Sequence, residues 1–235
     1  MLAIVDERIP QNAEAALCAR GWELLKLPPH PALPTPTASH PDMLVFFTPD
    51  AIYTTARYLQ IALPTLQRIS LAADRPLRTV TREVGERYPA DILLNAAPVG
   101  KRLFALCAHT AKEVTACGYT PVNVRQGYAK CATVPIGDNA LITADHAIAE
   151  AAKACGTEVL QIASGHVTLP GYDTGFIGGA ASFAPYHSTD EILFCGSLDL
   201  HPDGDAIRAF CHRHGLRAVS LSPDRLYDLG TVFLI

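Results

Sequence analysis

One short pattern of residues occurs three times along this chain, and the repeat limits the fold more than any other feature. Each copy has an apolar run, a turn, a second apolar run, a helical stretch that ends at glycine, and a third apolar run. The copies occupy residues 90–126, 128–165 and 176–221, and their helix-ending glycines are residues 118, 156 and 215. A strand–strand–helix–strand unit that recurs in this way predicts a repeat architecture.

The remaining residues supply two further units. The N-terminal unit lacks one strand, whereas the apolar segment 231–235 is left over at the other end of the chain. We predict that this segment pairs with strand 2–5 and closes a ring, which removes exposed sheet edges. The expected fold is α+β: a five-fold pseudo-symmetric β/α-propeller of ββαβ units within a single domain, residues 1–235. The predicted units are residues 231–235 with 1–27, 43–82, 90–125, 128–165 and 175–222.

The segment between the first two units, residues 28–41, contains six prolines. Proline has no backbone N–H and a fixed φ, so this density is incompatible with a regular helix or strand. The pattern predicts a long loop and a candidate lid over the mouth of the ring.

Composition narrows the class of protein. The chain has 235 residues, a formal charge of −4 and a pI near 6.1, which argues against nucleic acid as a partner. No apolar run approaches the roughly 18 residues of a membrane helix, and the first residues lack the pattern of a signal peptide. Seven cysteines without zinc-site spacing are typical of reduced thiols. We therefore expect a cytoplasmic protein with no membrane partner, no metal and no cofactor.

Several longer motifs are distinctive. They are SHPD (39–42), QGYAKC (126–131), GH (165–166), YDTGFIGGA (172–180) and GSLDLHPDG (196–204). Together with the ββαβ repeat, they resemble those of an uncharacterised bacterial family with the fold of the penteins, the superfamily of guanidino-group-modifying enzymes. The resemblance covers the full chain and implies the pentein fold.

The resemblance also implies a site. Catalytic penteins use a cysteine nucleophile, a histidine, and carboxylates that bind a guanidinium, close to the starts of the first strands at the ring centre. The implied catalytic residues here are Cys131, His166 and Asp173, and the implied substrate-binding residues are His40, Asp42, Asn95 and Asp228. One departure stands out, because superfamily enzymes have the nucleophile near the C-terminus, where this chain has Gly230 and Thr231.

Each candidate also has a structural interpretation. Cys131 fits a crowded core as a small apolar residue, since free cysteine is often buried. His166 is equally compatible with a hydrogen-bonded structural histidine, and Asp42 and Asp173 with turn-forming carboxylates.

Two functions follow. The first is a hydrolase or transferase that acts on a carbon–nitrogen bond of a guanidine- or amidine-type small molecule. The alternative is a non-catalytic pentein that binds a small molecule or a protein. The two differ in whether Cys131 and His166 face each other in one polar pocket. A nucleophilic Cys131 is also expected to alkylate faster near neutral pH than the helix cysteines, because a polar neighbour stabilises its thiolate.

Overall fold

The computed structural model describes all residues, 1–235, as short strands and helices joined by long connections. The first third of the chain contains β1 (Leu2–Asp6), α1 (Gln11–Ala19), β2 (Glu23–Leu27), α2 (Pro41–Leu44), β3 (Phe46–Phe47), β4 (Ile52–Thr55), α3 (Ala56–Ile61), α4 (Leu63–Ala73) and β5 (Leu77–Val80). The middle contains β6 (Ala97–Val99), β7 (Arg102–Ala105), α5 (Lys112–Thr115), β8 (Thr120–Asn123), β9 (Thr133–Ile136), β10 (Ala140–Thr143), α6 (His146–Ala154) and β11 (Glu158–Gln161). The last part contains β12 (Val167–Thr168), β13 (Ser182–Phe183), β14 (Glu191–Phe194), α7 (Gly204–Arg213), β15 (Arg217–Ser220), β16 (Leu226–Tyr227) and β17 (Val232–Leu234).

The same pairing pattern recurs along the chain. In three successive sheets, a strand pairs antiparallel with the next strand, and that strand pairs parallel with the one after the helix: β3–β4–β5, β6–β7–β8 and β9–β10–β11. In the following unit β14 pairs parallel with β15, and a single antiparallel bridge joins Ala181 to Phe194. The ββαβ repeat is therefore present in the backbone pairing.

The two ends of the chain meet in one sheet. β1 pairs antiparallel with the C-terminal strand β17 and parallel with β2, as the sequence predicts. β13 adds to the other side of β17, which gives the strand order β13–β17–β1–β2. The protein has six separate sheets, one of them the short pair β12–β16, and no single sheet closes on itself.

Helix ends follow local sequence signals. The glycines after α1, α6 and α7 have positive φ angles of 84°, 78° and 75°, which glycine adopts without strain. Asp145 precedes α6, and its carboxylate accepts a hydrogen bond from the backbone N–H of Ile148 at 2.9 Å. Such caps and C′ glycines explain why these helix boundaries were predictable from the sequence.

The starts of the first strands differ from the prediction. We expected strands to begin near residues 43, 91, 131 and 176, whereas residues 41–44 form helix α2 and the strands begin later. The backbone N–H groups in these segments donate to nearby carbonyls or to side chains and not to a neighbouring strand. Val45 N–H donates to Pro41 O, and Lys130 N–H donates to Asn95 Oδ1. After β4 the chain forms two helices, α3 and α4, because Leu63 starts a second helix with proline at its next position.

The proline-rich segment is a loop that is attached to the body of the protein. It contains one short 3₁₀ turn, Thr35–Thr37. The Arg8 guanidinium donates hydrogen bonds to the carbonyl oxygens of Thr35 and Pro36 at 2.6 and 2.7 Å. Because the loop runs directly into His40 and α2, these contacts help to position both. No helix in the protein has the length and apolar composition needed to cross a membrane.

Candidate functional site

A buried polar cluster surrounds the thiol of Cys131, which is 2% exposed. The Cys131 S–H donates to the Asp42 carboxylate, whose two oxygens each lie 3.1 Å from Sγ. The Asn95 side-chain N–H donates to Sγ at 3.2 Å. Asn95 Oδ1 in turn accepts a hydrogen bond from the Lys130 backbone N–H at 2.8 Å. One asparagine therefore fixes both the backbone before the thiol and the thiol itself.

A lysine and a threonine complete this part of the cluster. Lys130 Nζ donates to Thr231 Oγ1 at 2.9 Å, and Thr231 Oγ1 lies 2.9 Å from Asp42 Oδ2, to which it can donate. Both side chains are buried. Thr231 has a φ of 70°, a left-handed conformation that is strained for a β-branched residue. The surrounding hydrogen bonds hold it there, and strain of this kind is concentrated at functional sites.

His40 lies on the other side of Asp42. Its Nε2 is 3.7 Å from Asp6 Oδ2 and its Nδ1 is 3.8 Å from Asp228 Oδ1, and neither nitrogen has a hydrogen-bond partner within the protein. The Asp228 carboxylate accepts hydrogen bonds from the backbone N–H groups of Phe176 and Gly230, which fix its position. His40 is thus a buried imidazole between carboxylates with both nitrogens free to exchange a proton.

A glycine makes room for Asp228. A Cβ atom on Gly179 would lie 1.9 Å from Asp228 Oδ1, so any other residue at this position would displace the carboxylate. The Gly179 backbone also accepts hydrogen bonds from the N–H groups of Leu229 and Thr231. The GG pair of the YDTGFIGGA motif is therefore explained by close packing at this cluster.

Burial controls the charges in the cluster. Burial raises the pKa of the Cys131 thiol well above its usual value, and the Asp42 and Asp228 carboxylates raise it further. Burial also raises the pKa of Asp42, although the Lys130 ammonium opposes this. Burial lowers the pKa of Lys130 to about 8, and that of His40 is lowered for the same reason. At neutral pH the thiol is protonated and Lys130 is the cation beside Asp42.

This charge distribution bears on one expectation. A nucleophilic Cys131 was expected to have a thiolate stabilised by a polar neighbour, whereas the carboxylates around it favour the protonated thiol. In the resting state, Cys131 is therefore a hydrogen-bond donor and not a nucleophile. It becomes nucleophilic only if its proton is removed or positive charge is placed beside it.

Two of the predicted catalytic residues lie outside the cluster. The structure brings together Cys131, Asp42, Asn95, His40 and Asp228. Asp173 is exposed, and His166 lines a separate cavity with its ring 5.2 Å from that of His201. The expected meeting of Cys131 with His166 is therefore not found, and His40 is the imidazole beside the thiol.

Three donors could hold a metal ion. The ligand atoms of His40, Asp42 and Cys131 all lie within 4.8 Å of one another. An imidazole, a carboxylate and a thiolate are suitable zinc ligands. The raised pKa of the thiol and the ammonium of Lys130 both oppose binding of a cation here.

Sequence reasoning missed Lys130 and Thr231. Lysine is rarely buried, so Lys130 reads as a surface residue between Ala129 and Cys131. Thr231 was noted for the absence of cysteine and not for its own hydroxyl group. The available signal was position: Lys130 directly precedes Cys131 in the QGYAKC motif, and Thr231 follows the candidate Asp228 by three residues.

The fold resembles solved enzymes. DDAH from Pseudomonas aeruginosa, complexed with citrulline, matches with a TM-score of 0.54 and 13% identity over 94% of this chain and 91% of that one. A dimethylarginine dimethylaminohydrolase adduct with 4-chloro-2-hydroxymethylpyridine matches with a TM-score of 0.54 and 13% identity, over 94% of this chain and 92% of that one. C. jejuni agmatine deiminase matches with a TM-score of 0.53 and 7% identity, over 94% of this chain and 76% of that one. These similarities establish the fold, and the three solved proteins are pentein-fold enzymes.

In sequence, no curated protein matches the chain. One family model matches residues 4–233, nearly the full length. The predicted resemblance to an uncharacterised family with the pentein fold is confirmed. The chain belongs to the family of unknown function DUF6873.

Proposed function

We propose that the five ββαβ units surround one axis as a five-fold pseudo-symmetric propeller. The recurring pairing pattern and the pairing of β17 with β1 support this arrangement. In such a ring the segments before the first strands converge. Asp42, Asn95 and Cys131 lie in or directly before three different units and nonetheless contact one another. The buried cluster is then the centre of the ring.

The protein is, on this proposal, a hydrolase or transferase acting on a carbon–nitrogen bond of a guanidine- or amidine-type small molecule. The observation that carries the proposal is the grouping of a thiol, an imidazole and a carboxylate within 4.8 Å. Asp42 and Asp228 are the carboxylates that pair with the cationic substrate, because a planar guanidinium suits bidentate pairing. Cys131 is the nucleophile and His40 carries protons.

The reaction begins with loss of the thiol proton. A guanidinium beside Cys131 favours the thiolate, which offsets the effect of the carboxylates. The Cys131 proton moves to His40, Sγ forms a bond to the electrophilic carbon, and His40 returns the proton to the departing amine as the C–N bond breaks. Water then attacks the same carbon as His40 takes its proton, the C–S bond breaks, and His40 returns the proton to Sγ; in a transferase an amine takes the place of water.

Entry requires movement of Lys130. Its ammonium, 5.4 Å from the centre of the Phe183 ring and beside Asp42, takes the place that a substrate cation needs. The lowered pKa of Lys130 makes its neutral form accessible, so a substrate cation can replace it without leaving two positive charges together. The proline-rich loop that leads into His40 is the proposed lid.

A matched pair of alkylating agents tests the proposal. 2-Chloroacetamidine is cationic and 2-chloroacetamide is its neutral analogue. We expect Cys131 to react faster with the amidine, relative to the amide, than the other six cysteines do. Asp42→Asn should reduce this preference, and Cys131→Ser should remove the labelled site. An amidine-to-amide ratio at Cys131 equal to that of exposed Cys18 contradicts the proposal.

The same Lys130 favours a second function, a non-catalytic binding protein. An internal ammonium donates to Thr231 and offsets the charge of Asp42 without a ligand, as expected where a catalytic centre has become part of the core. In that case both reagents label Cys131 slowly and equally. Turnover of a guanidine or amidine by the wild-type protein and its loss in Cys131→Ser would exclude this alternative.

The proposed setting is the cytoplasm, with a small molecule as the partner. All seven cysteines are free thiols, which suits a reducing compartment. The net charge of −4 disfavours nucleic acid.

A further inference from the structure

A cavity separate from the Cys131 cluster has the features of a ligand site. Its volume is about 150 Å³, and it lies between the end of β11, β12 and the segment before β13. Its rim is formed by the exposed residues 163–165. The wall is largely apolar, with Val167 and Ile177 buried and Phe176 partly exposed. A roughly 150 Å³ apolar cavity in another protein is large enough for benzene.

A buried imidazole on this wall has an unused hydrogen-bond donor. His201 is 5% exposed, and its Nδ1 accepts a hydrogen bond from the Asp203 backbone N–H at 3.0 Å. The Nδ1 lone pair is thus engaged, so the neutral ring carries its proton on Nε2. Nε2 is buried and makes no hydrogen bond within the protein, although the Ala163 backbone carbonyl lies close enough to the ring to raise its pKa. A buried donor without an acceptor is unfavourable, and an acceptor in the cavity would satisfy it.

A second imidazole lies beside the first. The rings of His166 and His201 are 5.2 Å apart and inclined at 64°, and both line the cavity. The Asp145 carboxylate on the same wall is already hydrogen-bonded to Ile148 N–H and the Gln126 side chain. Asp203 Oδ2 accepts from the Ala163 backbone N–H. Among the titratable side chains on this wall, the two imidazoles are therefore the ones with a nitrogen that makes no hydrogen bond within the protein.

We infer that this cavity binds a small molecule in which an apolar ring or short chain carries one carboxylate. The carboxylate accepts hydrogen bonds from His201 Nε2 and from His166, and the apolar part packs against Val167, Phe176 and Ile177. A carboxylate suits the pair of imidazoles because it has two oxygens to offer to two donors. This site is independent of the function proposed for Cys131.

Two probes that share a phenyl ring test the inference in the intact protein. Sodium benzoate carries a carboxylate, whereas toluene carries a methyl group in its place. We expect saturable shifts of the His166 and His201 side-chain NMR signals with benzoate, and binding at least about tenfold weaker for toluene, as expected for a lost charged hydrogen bond. Equal binding of benzoate and toluene would show an apolar void only, and absence of saturation would show no site. Either result overturns the inference.

Two substitutions of His201 separate its two nitrogens. Asparagine places a polar atom near the position of Nδ1, and glutamine places one near that of Nε2. His201→Asn keeps the acceptor for Asp203 and should weaken benzoate binding about tenfold or more, whereas His201→Gln should retain it. His212→Asn, on an exposed face of α7, is the control and should bind as wild type does. Wild-type affinity in a folded His201→Asn protein refutes the role of Nε2; if that variant does not fold, the comparison of benzoate with toluene decides.

Discussion

Replacement of Asp42 by asparagine tests the charge arrangement at the buried cluster. The change keeps the shape of the side chain but removes the carboxylate beside Lys130. At pH 7, with a pKa of about 8, Lys130 is held in its charged form by about 1 kcal/mol. The variant avoids a buried cation without a nearby carboxylate by releasing the Lys130 proton, so the loss of this charge interaction lowers stability by at most about 1 kcal/mol. Asparagine also accepts the hydrogen bonds from Cys131 and Thr231 more weakly than the carboxylate does, which lowers the free energy of unfolding by a further amount of about 1–2 kcal/mol.

The pH dependence follows from the same pKa. A lysine whose pKa is lowered on folding binds fewer protons when folded, so it makes stability rise with pH between about 8 and 10.5. The buried thiols Cys131, Cys195 and Cys211 have raised pKa values and act in the opposite direction. Both proteins contain these thiols, so most of their contribution cancels when the free energy of unfolding of the variant is compared with that of the wild type. Above pH 8 Lys130 is neutral in both proteins, so the pairing part of the deficit disappears.

Urea unfolding at pH 7 and pH 9 measures this difference. We expect Asp42→Asn to be less stable than wild type at pH 7, with the deficit smaller by about 1 kcal/mol at pH 9. Removal of an ionised carboxylate whose pKa is raised by burial offsets part of the deficit equally at both pH values. Asp91→Asn is the matched control, because Asp91 is equally buried but accepts a hydrogen bond from the Tyr128 hydroxyl group. An Asp42→Asn deficit that is unchanged between the two pH values would refute the reasoning, as would the same pH dependence in the control.

Three further outcomes are expected. Gly179→Ala should lower stability by more than about 3 kcal/mol or prevent folding, measured by thermal unfolding, because the methyl group would overlap Asp228; near wild-type stability would contradict the packing. Neutral iodoacetamide should label Cys131 more slowly than exposed Cys18 in the folded protein, and mass spectrometry showing the reverse order would contradict the raised thiol pKa. Calorimetry should detect no stoichiometric zinc binding to the wild type but binding to Lys130→Met, since that change removes the opposing charge; tight binding to the wild type would contradict the role of Lys130.

The repeat made much of the backbone predictable. Helix-ending glycines, the capping Asp145 and the unpaired strand at each end of the chain are local signals that agree with the ββαβ unit. The same reasoning failed for the residues before the first strands. Apolar side chains suggest strands there, yet the backbone groups of Lys130 and Val45 bond to Asn95 and Pro41. The hydrophobic periodicity of the sequence does not reveal that these local and long-range hydrogen bonds take the place of strand pairing.

The cluster was only partly predictable for a related reason. Cys131, Asp42 and His40 were selected because they precede first strands, and they do contact one another. Asp173 was selected as a residue near the start of a first strand, and His166 as the residue after the last strand of the unit that contains Cys131. Both lie outside the cluster, since a residue in an irregular segment has no periodicity that gives its direction. Lys130 was missed because lysine is normally exposed. Its burial depends on partners far along the chain, Asp42 and Thr231, which no local pattern connects.

The most direct test of the proposed chemistry is a crystal structure of the protein after reaction with 2-chloroacetamidine. We expect a thioether on Cys131 Sγ, the amidinium paired with Asp42, and the Lys130 ammonium displaced from Thr231. An unmodified Cys131 with Lys130 still hydrogen-bonded to Thr231 would contradict a substrate site at this cluster.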